Sequence, residues 1–232
     1  MTYTLITANR NYSSWSLRPW VLMKALNIPF EDRIEPFAAA TNYAAFRSFS
    51  PTGQVPALID GANGEGRTVW DSLGIILYLA DRHPGVWPAE ETARAFAQCA
   101  AAEMHSGFTT LRSDCTMNVG VRVEPHMHSP ALGRDIARLR ELWEQGLDRF
   151  GGPFLAGKVF TAIDAFYAPV AFRVRTYGLD VGPIAQGWVD HMLAHPAMRQ
   201  WEAEALAETW REDSHEAEIG AAGRIVQDFR AV

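Results

Sequence analysis

Cysteine is almost absent from this chain: Cys99 and Cys115 are the only two in 232 residues. They form no CxxC pair and are too few for a disulfide framework, so both read as free thiols of a reducing compartment. Long apolar runs are missing as well. No stretch approaches the ~18 residues that a membrane span requires, and no basic segment followed by an apolar one reads as a signal peptide. The compartment these absences imply is the cytoplasm, with no membrane partner. An excess of positive charge is lacking too, with 21 Lys and Arg against 27 Asp and Glu. Nucleic acid needs a basic face, so it is excluded as the main partner. Internal repeats, low-complexity tracts and metal-ligand spacing are absent. His105, His126 and His128 have no companions at zinc-like spacing and read as surface or interdomain histidines, with no metal.

What is present is ordinary globular material, 48 % hydrophobic and 21 % charged, long enough for one large or two small domains. The first eighty residues alternate strand and helix signals. Thr2 to Thr7 is short, β-branched and aromatic, and reads as a strand. An apolar helical segment from Trp20 to Leu26 follows, closed by Asn27, Ile28 and Pro29. Phe30 to Glu35 alternates apolar and charged residues like a half-exposed strand, and Ala38 to Phe49 is a weak helical patch. Pro56 to Ile59 and Thr68 to Trp70 pair as a hairpin through the turn residues Asp60-Gly61 and Asn63-Gly64. Leu73, Ile76, Leu77 and Ala80 then share one face of a helix. His83-Pro84-Gly85-Val86-Trp87-Pro88 reads as an interdomain linker. Everything after Ala89 looks helical, with Ile136 to Phe150 and Ile163 to Val174 in helical spacing. Thr161 and Asp164 form a capping box, and Pro169 lies inside the helix that they open. Trp143, Trp188 and Trp201 fit core positions. The tail after Trp210 is polar and carries no clear period.

Three local motifs carry chemistry. The first is Ser13-Ser14-Trp15-Ser16-Leu17-Arg18-Pro19, at a junction of strand and helix. Proline is tolerated only in the first helical turn, so Pro19 makes Ser16 the expected N-cap and leaves Ser13 and Ser14 just ahead of the helix, at its positive end. The serines are either caps and turn residues or hydroxyls facing an anion. The second is Gln54-Val55-Pro56. An X-Pro bond adopts cis at modest cost and would then turn the Val55 carbonyl and N–H outward for another peptide, whereas a trans proline would simply begin an edge strand. The third is Asp71-Ser72 at the head of a helix, which is either an N-cap or a site where Ser72 meets a carboxylate and Asp71 an ammonium.

Taken together, these motifs resemble the glutathione transferase superfamily over nearly the whole chain. The closest class by resemblance is zeta: residues 13–18 are similar to its Ser-Ser-Cys-Ser-x-Arg signature, with Trp15 where that class has cysteine. Gln54-Val55-Pro56 matches its Gln-Val-Pro and Asp71-Ser72 its Gln-Ser. The resemblance implies an α/β thioredoxin-like N-terminal domain (residues 1–83) that binds glutathione, a linker (84–88), an all-α C-terminal domain (89–232) that builds the second-substrate pocket, and a homodimer. It assigns Ser13 or Ser14 to the thiol: the doubled serine picks Ser13, counting back from Arg18 picks Ser14, and of the two Ser13 stands ahead. Trp15, Gln54, Val55, Pro56, Asp71 and Ser72 are assigned to the rest of glutathione. The missing cysteine between Asn11 and Trp20 removes a protein thiol from this mechanism.

A free thiol has a pKa of about 8.5, and a donated hydrogen bond together with helix N-terminal N–H groups lowers it by favouring the thiolate. The activity so implied is transfer of glutathione to a small electrophile. The alternatives are a zeta-like glutathione-dependent cis/trans isomerase of the maleylacetoacetate type and a non-catalytic binding protein, since one fold hosts both. Arg18 reads as a structural residue bridging to the second domain. Arg112, Arg122, Arg173 and Arg175 read as solvated helix-face residues, with Arg175 near the position of an arginine that the zeta class uses on its acidic substrate.

Overall fold

The structure, a computed structural model, describes residues 2–37, 42–61 and 66–231. Strand β1 (Tyr3–Thr7) is buried at every position, as an inner strand covered on both faces must be. Strand β2 (Phe30–Ile34) runs parallel to β1 and alternates half-buried and exposed residues along the sheet edge. A parallel pair needs a crossover, and helix α1 (Ser14–Ala25) supplies it. Helix α2 (Asn42–Phe46) falls in the expected patch; residues 38–41 of that patch lie outside the described residues. Strands β3 (Ala57–Asp60) and β4 (Arg67–Val69) form the expected antiparallel hairpin, and β3 also pairs antiparallel with β1. The Asn63-Gly64 turn lies outside the described residues. The sheet order is β2-β1-β3-β4, a mixed thioredoxin-like sheet, with helix α3 (Ser72–Ala80) packed back on it.

Two local expectations are corrected. Ser13, not Ser16, is the N-cap of α1, so Ser14 is the first helical residue and Pro19 lies inside the helix. Pro19 cannot donate to the carbonyl four residues back, and that loss is outweighed by packing, since nearly all of α1 is buried against the C-terminal helices. The Ser16 hydroxyl is used elsewhere: it accepts from the Ala8 N–H at 3.3 Å and the Ser13 hydroxyl at 2.7 Å. In α3 the buried residues are Ser72, Ile75, Ile76 and Leu79, while Leu77 is exposed. This helix is apolar almost all round, so periodicity could not choose its face. The Asp71 cap fixes where it begins, accepting from the N–H groups of Leu73 and Gly74.

Past the linker come α4 (Glu91–Ser106), α5 (Thr109–Asp114), strand β5 (Val121–Pro125), α6 (Pro130–Phe150), α7 (Ala162–Tyr177), α8 (Pro183–Ala194), α9 (Pro196–Ala207), α10 (Asp213–Ala222) and strand β6 (Gly223–Asp228). This is the expected helical half, with one addition. Strands β5 and β6 pair antiparallel, bringing Val121 opposite Asp228. Residues about a hundred positions apart give no local sign of pairing, which is why the helical reading passed over them. Gly120 sits where this ribbon closes: a Cβ there would fall 2.2 Å from the Arg230 side chain.

Helix α7 is the axis of the core, buried at every position but Arg175. The Thr161 N–H donates to Asp164 at 3.1 Å as expected, and Asp164 also accepts from the Leu155 N–H and the Trp188 indole. Burial pushes its carboxyl up to about 6 despite those bonds. Trp143, Trp188 and Trp201 are buried as expected. Trp201 meets Trp20 of α1 edge-on at 5.1 Å, so the two halves share one apolar seam.

Candidate active site

The turn between β1 and α1 is held from both sides. The N–H groups of Arg10 and Asn11 donate to Glu208 at 2.6 and 3.2 Å, and the Asn11 side chain donates to the Ala205 carbonyl at 2.6 Å. Arg10 is buried and pairs with Asp32 and Glu204. Burial raises the Glu208 carboxyl, against these hydrogen bonds. The turn therefore reaches Ser13 in a position that the C-terminal half dictates.

Above this turn opens a cavity of about 880 Å³. All eight residues assigned from the sequence line it: Ser13, Ser14, Trp15, Gln54, Val55, Pro56, Asp71 and Ser72. Ser13 donates its hydroxyl proton to Ser16. The Ser14 hydroxyl makes no hydrogen bond among the described residues, and the N–H groups of Trp15 and Ser16 meet no acceptor there either. The Val55–Pro56 bond is cis. The N–H and C=O of Val55 have no hydrogen-bond partner among the described residues. The loop before it needs glycine at Gly53, where φ is +67° and a Cβ would fall 2.6 Å from the Tyr43 ring. Ser72 is fully buried, yet its hydroxyl has no partner among the described residues. Asp71 caps α3 through Oδ1 and faces Nε2 of His105 through Oδ2 at 3.3 Å. His105 is thus interdomain; burial lowers its pKa, with Asp71 opposing.

Other parts of the wall were not foreseen. Arg112 and Arg173 line the cavity, which corrects their reading as solvated residues. Arg173 is buried, donates Nε–H to the Cys115 carbonyl at 2.8 Å and leaves Nη1 without a partner among the described residues. Burial pulls its pKa down to about 10, opposed by Tyr177 and Cys115. The Arg112 guanidinium stands 4.8 Å from the Trp15 ring and the Arg18 guanidinium 4.0 Å from it. Arg18 does not line the cavity; it bridges to Phe166 of the C-terminal half, and burial with the neighbouring Arg173 and Arg112 pulls it down to about 9. Arg175 pairs with Glu202 at 2.6 Å, and Arg122 donates to the carbonyls of Val119 and Val121. Neither lines the cavity. The unassigned tail also arrives here, through His215 and Glu218 of α10. Helical spacing could have placed Arg173 on α7, but nothing local marks His215.

Among the described residues no group of three or more His, Cys, Asp and Glu side chains is gathered that could hold a metal ion. No helix of theirs is long and apolar enough to cross a membrane. Chemically, the cavity offers free N–H groups and hydroxyls at two helix N-termini, an unpaired peptide edge and two guanidinium groups. That set suits a ligand with peptide-like and anionic parts.

A mixed four-stranded sheet, a helical second half and a cavity between them define a protein of the glutathione transferase type. Two family models match accordingly, Glutathione S-transferase, N-terminal domain over residues 12–82 and Glutathione S-transferase, C-terminal domain over residues 130–204. The chain belongs to the glutathione S-transferase superfamily. It is similar to a zeta class glutathione S-transferase of Euphorbia esula, 29 % identical over 127 residues, which are 53 % of this chain and 55 % of that relative. It thus spans little more than half of that relative's length. A probable maleylacetoacetate isomerase of Caenorhabditis elegans is 22 % identical over 176 residues, 75 % of this chain and 79 % of the relative. Among solved structures, a glutathione transferase homolog from Burkholderia with bound glutathione superposes with a TM-score of 0.66 at 21 % identity, covering 88 % of this chain and 98 % of that one. That likeness concerns the fold.

Proposed function

We propose that the chain is a glutathione transferase that uses a serine hydroxyl to hold the glutathione thiolate for attack on a small electrophile. The observation that carries this reading is the convergence of residues 13–15, 54–56 and 71–72 on one cavity. The unpaired peptide edge of Val55 suits the body of glutathione. The buried, unpartnered Ser72 hydroxyl suits its γ-glutamyl carboxylate, and Asp71 its ammonium. For the sulfur we assign Ser14: its hydroxyl is free, while Ser13 already donates to Ser16. Trp15, Gln54 and Pro56 complete the wall. The domains are taken as 1–83 and 89–232 joined by 84–88, in a cytoplasmic homodimer.

A second reading, a zeta-like glutathione-dependent cis/trans isomerase, is favoured by Arg112 and Arg173. A buried guanidinium with an unpartnered Nη1 in the wall suits a carboxylate on the second substrate. In that reaction the thiolate adds, the bond rotates and glutathione leaves. The relatives named zeta class and probable maleylacetoacetate isomerase support this reading at low identity.

The test is retention on immobilised glutathione, followed by turnover of a chlorinated aromatic against a maleyl-type dienone. Retention with turnover of the dienone alone selects the isomerase; retention with neither turnover leaves a binding protein; no retention overturns the glutathione reading. Ser14→Ala is expected to lower kcat by roughly 10²-fold without unfolding, as loss of one donor to a developing anion does. An unchanged ultraviolet thiolate signal of bound glutathione in Ser14→Ala would contradict the assignment.

A further inference from the structure

The chain beyond residue 204 lies outside both matched family models, yet α10 supplies His215 to the cavity wall. The imidazole is held on several sides. Its Nδ1 lies 2.6 Å from Oε2 of Glu212. The ring stacks on Tyr12 at 4.8 Å and 17°, and on Phe37 at 5.0 Å and 24°. Glu212 also accepts the His215 backbone N–H at 2.9 Å and the Ser214 hydroxyl at 2.6 Å. Burial opposes the charge of Glu212, but these bonds prevail and hold its carboxyl down at about 2. An ionised Glu212 takes the Nδ1 proton as its partner, which fixes the tautomer and leaves Nε2 as the acceptor nitrogen. Nε2 has no hydrogen-bond partner among the described residues.

The helix that carries this pair is tied to the serine turn. Tyr12, the residue before Ser13, donates its hydroxyl to Glu216 at 2.6 Å. The Arg230 side chain, 4 % exposed, clamps the same carboxylate at 2.5 and 3.1 Å. The stacking on Tyr12 therefore sets the imidazole beside the segment that carries the two serines.

A serine hydroxyl stabilises a thiolate but is too weak a base to take the thiol proton. The proton must pass to water or to another group, and imidazole is the side chain suited to that exchange near neutrality. We infer that His215 is a catalytic residue, the proton acceptor and donor of this site, with Glu212 as its positioning residue. The inference rests on the glutathione reading above. The S–H bond of glutathione breaks, its proton bonds to Nε2, and the electron pair stays on sulfur, giving thiolate and imidazolium. When sulfur has bonded to the electrophilic carbon, the same proton passes to the carbanion where the electrophile is added across, or to water where a halide departs as its anion, which regenerates neutral His215. The charged and titratable groups that touch the imidazole are Glu212 at Nδ1 and Tyr12 on its face; one step further out, Tyr12 and Arg230 hold Glu216, and Glu218 lines the same cavity.

The test compares wild type, His215→Gln, His215→Ala and Glu212→Gln by three readouts. These are glutathione affinity by calorimetry, the pH titration of the bound thiolate's ultraviolet absorbance, and kcat with and without free imidazole. Glutathione affinity is expected to stay within about twofold. The thiolate fraction at pH 7 should fall about tenfold in His215→Gln, and kcat about 10²-fold. Free imidazole should restore part of kcat in His215→Ala alone, and Glu212→Gln should move the thiolate titration in the same direction by less. A thiolate titration that superposes on wild type in His215→Gln overturns the inference while leaving the glutathione reading intact. Wild type that binds no glutathione overturns that reading, and the inference with it.

Discussion

Two segments reach the cavity from opposite ends of the chain, and they are held there by different physics. The turn at residues 9–14 is buried and is fixed by backbone donors to Glu208 and by packing against both halves. The strap at residues 212–230 is largely exposed; β6 pairs with β5, and its helix is fixed by ionised side chains: Glu212 with His215, and Glu216 with Tyr12 and Arg230. A turn buried between the two halves, its backbone donors and the Arg10 ion pairs included, moves only if the fold does. A strap held by a few charges can be released by solution conditions while the fold persists.

The largest break in that contrast is Glu208→Ala. It leaves the N–H groups of Arg10 and Asn11 buried without an acceptor, a loss of about 3 kcal/mol. Urea denaturation measures it, and a loss below about 1 kcal/mol would mean that the turn does not depend on the C-terminal half. Tyr12→Phe is smaller and acts on the other side. Removing one hydrogen bond to the ionised Glu216 should cost about 1.5 kcal/mol. Amide exchange should quicken in α10 and β6 and stay unchanged in the β2-β1-β3-β4 sheet; uniform quickening would mean that the strap is part of the global core.

Acid should separate the two segments by sign. Glu212, Glu216 and Asp228 have carboxyls held low in the folded state. Between the two pKa values the unfolded chain carries the extra proton, so their stabilisation is present above the unfolded value and lost as pH falls through the folded one. For Glu212 that window runs from 4.5 down to about 2. Glu208 is raised by burial, so there the folded state holds the extra proton and acidification favours it. On acid titration, tryptic cleavage in the strap and quickened exchange in α10 should precede any loss of sheet protection. Simultaneous loss would erase the distinction. The smallest effect belongs to the surface: Arg224 and Glu124 pair across the ribbon at 70 % and 63 % exposure. Arg224→Ala should change stability by less than about 0.5 kcal/mol, vanishing in high salt.

The same division describes what could be read from residues alone. Strand β2, the β3–β4 hairpin and the Thr161 cap are local patterns, each contained within a dozen or so residues, and they were legible. So were the three motifs that line the cavity, because each sits where a strand meets a helix. Pro19 misled because a proline's penalty is a local rule, whereas burial of α1 between the two halves decides where that helix begins. Leu77 misled because an apolar helix offers several faces to one period. Arg173 is a charge on a helix buried at every position but Arg175; helical spacing places it on α7 but does not say that it faces a cavity. The strap was illegible for the plainest reason: its strand pairs with residues about a hundred positions away, and its helix is polar on nearly every side.

Trp15 makes the cavity visible to light. Of the eight tryptophans, Trp20, Trp143, Trp188 and Trp201 are sealed in the interior, and Trp70 and Trp210 face solvent. Trp15 is instead part of the wall, with the cations of Arg18 and Arg112 over its ring and the edge of His105 at 5.3 Å. An occupant that displaces water or shifts either guanidinium changes the field across that indole, and with it the colour and yield of its fluorescence. The chain carries its own optical gauge of occupancy, needing no label.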